Sequence, residues 1–286
     1  MGKRDAGRSG REASEQLERL LGELRYVRSV DGEKRAEHYE RLLPEARARL
    51  GSVPLVHGLA RTYDLISIIQ QGSLQARSLR SPRKGMLDSE QVLGLSPSVY
   101  TSVGVSYPER DAALVFCTSV EDGVQVDASP WDSGHLCRSQ CDVLRNASSG
   151  KRKKVFQSNI LPSPQYRTYL VEYVASCFRD VVDYIDNNSH CYRDPSRVMD
   201  ENCELSRIFE VRFPSTLPYP GDGLLAVPLP GNQRKTLSNN LLREHVKALR
   251  GAKVDVCYYK GARRRLRNAV RNWMRKRLNL VSGEAQ

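Results

Sequence analysis

The stretch Leu55-Val-His-Gly-Leu-Ala-Arg-Thr-Tyr-Asp-Leu-Ile-Ser-Ile-Ile-Gln-Gln-Gly-Ser-Leu74 decides how this chain folds. Its opening run, residues 53–58, is short and apolar and ends in His-Gly, which predicts a strand. Thr62 or Asp64 can then cap a helix whose apolar residues recur every three or four positions. Gly72 closes that helix, because glycine accepts the left-handed backbone of a helix C-terminus. A strand, a polar turn and an amphipathic helix therefore follow one another.

Downstream of this stretch, short apolar segments outnumber the helical patterns. Polar residues with Pro and Gly predict a loop over 75–98, and residues 129–165 are irregular. Helical periodicity covers 166–186 and 237–250. Strands are predicted at 98–103, 112–118, 123–127, 207–213, 224–229 and 253–259. Many short strands with few, dispersed helices indicate an α+β protein rather than regular βαβ winding.

The two ends of the chain differ from this middle part. Residues 1–10 are small and basic and are predicted to be disordered. Residues 11–50 predict a helical hairpin that packs on the main domain, with Pro44 kinking or splitting its second helix. Residues 51–260 form the main domain, and residues 261–286 carry a basic amphipathic helix.

Composition limits the classes of partner and compartment. The chain has 286 residues, with 45 Lys and Arg against 33 Asp and Glu, so its net charge is +12. This excess favours polyanions, with nucleic acid first and anionic membrane surfaces second. No apolar run approaches the length that spans a bilayer, and the N-terminus lacks the apolar region of a signal peptide. Seven scattered cysteines are typical of reduced thiols, and these features together predict a cytoplasmic protein without a membrane partner.

Common signatures of nucleotide binding and hydrolysis are missing from the sequence. It contains neither GxxxxGK[ST] nor GxGxxG, which argues against P-loop and Rossmann sites, and it lacks GxSxG. A loop role near the cleft is one interpretation of residues 131–135, and a plain turn is the other. Zinc is not expected, because no common finger has the spacing of the candidate ligands, Cys137, Cys141, His190, Cys191 and Cys203.

The opening stretch resembles the start of the ADP-ribosyltransferase superfamily. The shared features are a strand ending in His57-Gly58, a polar turn, and a helix of the form Leu-x-x-Ile-x-x-x-Gly-x-Leu. Poly(ADP-ribose) polymerases, diphtheria-toxin-like enzymes and DarT-like DNA-modifying toxins have this opening. The resemblance implies a split β-sheet core over residues 51–260. It further implies an NAD-dependent mono-ADP-ribosyltransferase that uses NAD as a substrate.

The resemblance also implies roles for individual residues. Tyr100 matches the Tyr of the family's His-Tyr-Glu order, while Ser102 matches the Ser of an alternative Arg-Ser-Glu order. Glu210, in Ile208-Phe-Glu-Val-Arg-Phe, matches the late-strand Glu, and Glu204 is the alternative. His57, Gly58, Tyr100 and Ser102 would contact NAD, with the Tyr100 ring on the nicotinamide. The carboxylate would stabilise the oxocarbenium-like transition state that forms when nicotinamide leaves the ribose.

The acceptor is predicted from charge. Basic residues cluster in two places, and the second is a C-terminal helix with no acidic residue between positions 260 and 278. Phosphate contacts are expected at Lys151, Arg152, Lys153, Lys154, Arg264, Arg267, Arg271 and Arg275. A helix packed on the core through a solvated basic face is the structural alternative. On the first interpretation the protein is a bacterial toxin or defence effector that modifies nucleic acid, and an antitoxin or a protein target is its expected protein partner.

Three other functions remain open from the sequence. They are an ADP-ribosyltransferase with a protein target, an RNA 2′-phosphotransferase of the same fold, and a non-catalytic nucleic-acid-binding protein.

Overall fold

A computed structural model describes a large part of the chain. The described residues are 32–80, 88–104, 110–129, 133, 160–162, 165–178, 180–187, 209–231, 240–260 and 264–279. Several predictions concern residues outside these ranges. They are the disordered segment 1–10, the first helix of the hairpin, the basic run 151–154, Glu204 and the five candidate zinc ligands.

Eight α-helices are found in the described residues. They are α1 (Gly32–Leu50), α2 (Tyr63–Gln71), α3 (Arg77–Arg80), α4 (Asp88–Leu93), α5 (Gln165–Cys177), α6 (Val181–Asn187), α7 (Asn240–Gly251) and α8 (Arg264–Arg277). None of these described helices is long and apolar enough to cross a bilayer.

Ten strands in the described ranges form two sheets. They are β1 (Leu55–Leu59), β2 (Ser73–Gln75), β3 (Ser98–Val103), β4 (Ala112–Phe116), β5 (Asp127–Ser129), β6 (Leu161–Pro162), β7 (Glu210–Pro214), β8 (Thr216–Pro218), β9 (Leu224–Pro230) and β10 (Asp255–Tyr259). The main sheet has the order β10-β9-β4-β1-β3-β7-β5-β6, and β2 pairs with β8 separately. Only β9 and β10 pair in parallel among these described strands. The predicted α+β class is therefore confirmed.

Helices cover the apolar surface of the main sheet. The aromatic rings of α5, among them Tyr169 and Tyr173, pack around Phe209 at the start of β7. Tyr184 of α6 donates a hydrogen bond to the Val103 carbonyl at the end of β3. Burial of such large rings is the main stabilising contribution to this layer, because each removes a large apolar area from water.

Helix α1 is continuous through Pro44. It runs without a break from Gly32 to Leu50, so Pro44 does not split it. Pro44 lies on the exposed side, while Leu43, Ala46 and Leu50 are buried. The helix packs against α5, and this burial offsets the hydrogen bond that a proline removes.

Other differences have local causes. The predicted helix over 166–186 is two helices, because Asp180 Oδ1 accepts the Asp183 N–H at 2.6 Å and caps a new start. Residues 75–98 contain α3 and α4 rather than only loop. The strand predicted at 123–127 begins only at Asp127, and a 3₁₀ turn at Thr118–Glu121 precedes it.

Candidate active site

The main sheet opens between β1 and β3. These strands pair only through Leu55↔Val103 and Val56↔Ser102, whereas β1 pairs with β4 along all of its residues. Continuing the first register would put Gly58 opposite Tyr100, but no pairing is found there. A gap therefore begins at the His-Gly pair that the sequence singled out.

His57 closes one side of this gap. Its Nδ1 lies 2.7 Å from the Tyr100 carbonyl oxygen, and a carbonyl can only accept, so Nδ1 carries the proton. Burial is the main cause that lowers the pKa of His57 to about 4, and the cations of Arg110 and Arg80 lower it further. The bond to Tyr100 opposes this shift. At neutral pH the ring is uncharged, and Nε2 is a hydrogen-bond acceptor.

The backbone of Gly58 is directed into the gap. The Gly104 N–H donates to the Pro54 carbonyl at 3.0 Å, so Pro54 faces β3. Backbone groups alternate in direction along a strand, and Gly58, four residues after Pro54, faces the same side. The Tyr100 carbonyl that would accept its N–H is bonded by His57 instead. A flat amide in the gap would meet both the N–H and the C=O of Gly58.

Glu210 lies on the face of the sheet that also carries Tyr100 and Ser102. It is registered opposite Ser102 on one side and Ser129 on the other, and paired residues point to the same face. The Glu210 side chain is 1% exposed, so it does not face solvent. Arg212 Nη1 donates to Glu210 Oε1 at 2.8 Å and to Ser129 Oγ at 2.9 Å. The site thus holds a carboxylate in an ion pair.

The gap and this carboxylate are near each other. Strand β3 separates β1 from β7, and Glu210 is offset from Gly58 by two residues in register. With neighbouring strands about 4.8 Å apart and a rise of about 3.3 Å per residue, the backbones of Gly58 and Glu210 are about 12 Å apart. A ribosyl-nicotinamide can bridge such a span. The structure therefore brings His57, Gly58, Tyr100, Ser102 and Glu210 to one region.

Sequence analysis missed two members of this region. Glu90 of α4 is fully buried, and its Oε1 accepts the Ser98 N–H at 3.1 Å and the Tyr100 hydroxyl at 3.3 Å. No motif marked it, since it lies in a segment predicted as loop. Arg212 had a signal, because Glu-Val-Arg on a strand places both charges on one face. Glu90, Ser98, Ser102, Ser129, Glu210 and Arg212 form a buried polar cluster, which is unusual for a sheet face.

Ser102 has a structural bond besides its predicted role. Its Oγ donates to the Val56 carbonyl at 3.2 Å, at the last paired position before the gap. This bond therefore lies at the edge of the gap and joins β1 to β3 there.

The residues of α8 that were predicted to contact phosphates differ in their burial and in their partners. Arg271 donates to the Asp186 carbonyl and Arg275 forms an ion pair with the Asp186 carboxylate, so both attach α8 to α6. Arg267 is half-buried, and the side chain of Arg264 lies outside the described set. Lys276 and Arg277 are exposed. The missing acidic partner of this helix is therefore supplied from α6.

Comparison with known proteins gives a distant match. No family model matches the chain, and no curated protein matches it. A solved structure does resemble it. This is Thermus sp. 2.9 DarT in complex with ADP-ribosylated ssDNA, at 11% sequence identity and a TM-score of 0.43, covering 72% of this chain and 94% of that one. The resemblance is distant and concerns the fold.

Proposed function

We propose that the protein is an NAD-dependent mono-ADP-ribosyltransferase that modifies nucleic acid. The observation that carries this proposal is the gap between β1 and β3. There Gly58 directs its backbone to the opening, the His57 ring is held neutral, and Glu210 lies on the neighbouring sheet face. The Gly58 backbone suits the neutral amide of nicotinamide, and the His57 ring suits a ribose hydroxyl. Glu210 suits the positive charge that develops on the ribose.

The reaction follows from the chemistry of the groups. The carboxamide of nicotinamide bonds to the backbone of Gly58, and the Tyr100 ring packs on the pyridine. His57 Nε2 accepts a hydrogen bond from a ribose hydroxyl. Nicotinamide leaves with the electron pair of the glycosidic bond, and Glu210 stabilises the positive charge on the ribose. A nucleophile of the acceptor then bonds to the anomeric carbon and loses its proton to solvent.

Two cations beside the gap suit the pyrophosphate of NAD. Arg80 and Arg110 both act electrostatically on His57, and both are half-buried. Their charge lowers the cost of bringing a dianionic pyrophosphate next to a neutral histidine. In this proposal the two arginines bind the pyrophosphate, and Glu210 stabilises the positive charge that develops on the ribose in the transition state.

A polyanionic acceptor is supported by the net charge of +12. Such an activity on cellular nucleic acid would be toxic, which is why we include a toxin or defence role in the proposal. Expression of the wild-type chain should arrest growth in a bacterial host, and expression of Glu210→Gln should not.

Labelled NAD tests the proposal. The protein is incubated with NAD labelled in its adenylate, together with single-stranded DNA, RNA or lysate protein in parallel. We expect label in a nuclease-sensitive product and free nicotinamide in equal amount. Label in a protease-sensitive product would instead support a protein target, and absence of NAD consumption would leave only a binding function.

Arg80 and Arg110 also favour a second candidate, an RNA 2′-phosphotransferase. That reaction needs several cations near a phosphate beside the NAD site, and two act electrostatically on His57. An RNA carrying a 2′-phosphate separates the candidates. NAD-dependent loss of this phosphate supports the phosphotransferase, while transfer of label to RNA without a 2′-phosphate supports the ADP-ribosyltransferase.

A further inference from the structure

A groove lies between helix α7 and the edge strand β10, away from the gap. Its volume is about 300 Å³, and it is lined by Arg243, Val246, Lys247, Arg250 and Tyr258. Three of these five residues are cations and one is an aromatic ring. None of them belongs to the residues that sequence analysis assigned to NAD or to nucleic acid.

The cations share one side of α7. Arg243, Lys247 and Arg250 are spaced by four and three residues, so they lie above one another on the helix. Glu244 is the one acidic residue of this helix, and it does not line the groove. The groove therefore has a positive potential that three local charges maintain.

Tyr258 gives the groove a flat apolar surface. Its side chain is 42% exposed, among the most exposed large hydrophobic side chains of the described residues. The Arg250 guanidinium carbon lies 5.8 Å from the centre of the ring. A group that can stack on a base is thus next to a group that can neutralise a phosphate.

The groove is separate from the basic face of α8. Asp255 accepts a hydrogen bond from Trp273 Nε1 of α8 at 2.7 Å, which places α8 on the Asp255 side of β10. Tyr258, three residues later, points to the opposite side, where α7 packs. Binding in the groove can therefore be altered without changing α8.

We propose that this groove binds a nucleotide of single-stranded nucleic acid, with its base on Tyr258 and its phosphates on Arg243, Lys247 and Arg250. The volume is at the lower end of ligand sites, which suits one nucleotide. A duplex does not fit the proposal, because its bases are already stacked on each other. Aromatic rings combined with a cationic groove are the usual means of binding single strands. This inference rests on the nucleic-acid target of the proposed function.

Fluorescence anisotropy with a labelled oligothymidylate of about 12 nucleotides tests the groove, since one single-strand site covers about 4–16 nucleotides. Tyr258→Leu should weaken binding by about tenfold and leave its salt dependence unchanged, because stacking releases no counterions. Lys247→Gln should lower the slope of log affinity against log salt by about 0.7. The matched control is Arg47→Gln on the exposed surface of α1, which should bind as the wild type does.

The outcomes separate this inference from the proposed function. Wild-type affinity and salt slope in both groove variants would overturn the proposal that the groove binds a nucleotide. Equal or tighter binding to a duplex, independent of Tyr258, would overturn it as well. NAD hydrolysis without acceptor, measured in the same variants, should be unchanged. If the groove variants lose binding but the wild type never consumes NAD, the proposal for the groove is supported and the proposed transferase activity is refuted.

Discussion

His57 is held by one hydrogen bond with two consequences. The bond to the Tyr100 carbonyl fixes the proton on Nδ1, and it also occupies the acceptor that Gly58 would need to continue the sheet. The same contact therefore orients the imidazole and opens the strand pair. Because burial keeps the ring neutral, Nε2 stays an acceptor throughout the physiological pH range.

The stability of the protein should report the lowered pKa of His57. In the unfolded chain this residue takes up a proton near pH 6.5, whereas in the folded protein it does so only near 4. Between these values the unfolded state binds more protons, so the free energy of unfolding falls as the pH falls, by about 1.4 kcal/mol per pH unit. Urea unfolding of the wild type and His57→Gln at several pH values measures this. Parallel curves for the two proteins from pH 6.5 to 5 would contradict it.

Glu210→Gln should separate turnover from binding. Glutamine keeps an oxygen for Arg212 but loses the charge that meets the transition state, so we expect kcat to fall by at least about 100-fold with little change in NAD affinity. Glu121→Gln is the matched control, because Glu121 is also paired with an arginine, Arg167, outside the gap. It should lose stability but not turnover. Near-normal turnover in Glu210→Gln would move the catalytic role to Glu204.

Two substitutions of Tyr100 distinguish the contribution of its ring to NAD binding from that of its hydroxyl. The hydroxyl donates to Glu90, and the ring is assigned to the nicotinamide. Tyr100→Phe should keep NAD affinity, and Tyr100→Ala should lower it by about tenfold, since a lost stacking partner is worth about 1 kcal/mol or more. Isothermal titration with NAD distinguishes them. Equal affinity in all three proteins would remove Tyr100 from the NAD site.

At the scale of elements, sequence patterns found most of the regular structure. The β1–α2 unit follows its prediction closely, and Gly72 has the expected left-handed conformation with φ of 63°. Thr62 is at the N-cap position but makes no capping hydrogen bond from its side chain, and Asp64 instead accepts the Arg61 N–H at 3.1 Å. Local periodicity thus identifies an element better than the contacts that begin it.

The missed elements depend on partners far away in the sequence. Strands β2 and β8 are three residues each and form only because Ser73–Gln75 pairs with Thr216–Pro218. The buried Glu90 likewise satisfies backbone and side-chain groups of β3. Neither can be predicted from periodicity, because the cause is a tertiary contact. The family resemblance predicts the order His57, Tyr100, Glu210, whereas no sequence pattern predicts the gap between β1 and β3.

The cations of helix α8 should be of two kinds, those that attach the helix to α6 and those that are exposed to solvent. Arg275→Gln breaks the partly exposed ion pair to Asp186 and should lower the free energy of unfolding by up to about 1 kcal/mol. Its neighbour Lys276 is exposed, so Lys276→Gln should leave stability unchanged. If α8 contacts phosphates, Lys276→Gln should also reduce the salt slope of single-strand binding by about 0.7. Thermal unfolding measures the change in stability, and anisotropy at several salt concentrations measures the salt slope. An unchanged slope in Lys276→Gln would mean that α8 has a structural role only.

In the whole molecule, the proposed NAD site and the proposed nucleotide groove lie at different parts of one sheet. The gap lies between β1 and β3 near its centre, whereas the Tyr258 groove lies at the β10 edge. The α7 helix that carries the groove also contacts α2, which begins beside the gap.

The most direct measurement is transfer of labelled ADP-ribose from NAD to single-stranded nucleic acid by the wild type and by Glu210→Gln. We expect a nuclease-sensitive product with the wild type, an equal amount of released nicotinamide, and at least about 100-fold less of both with Glu210→Gln. Intact NAD after prolonged incubation of the folded wild type with DNA, RNA and protein would contradict the central claim.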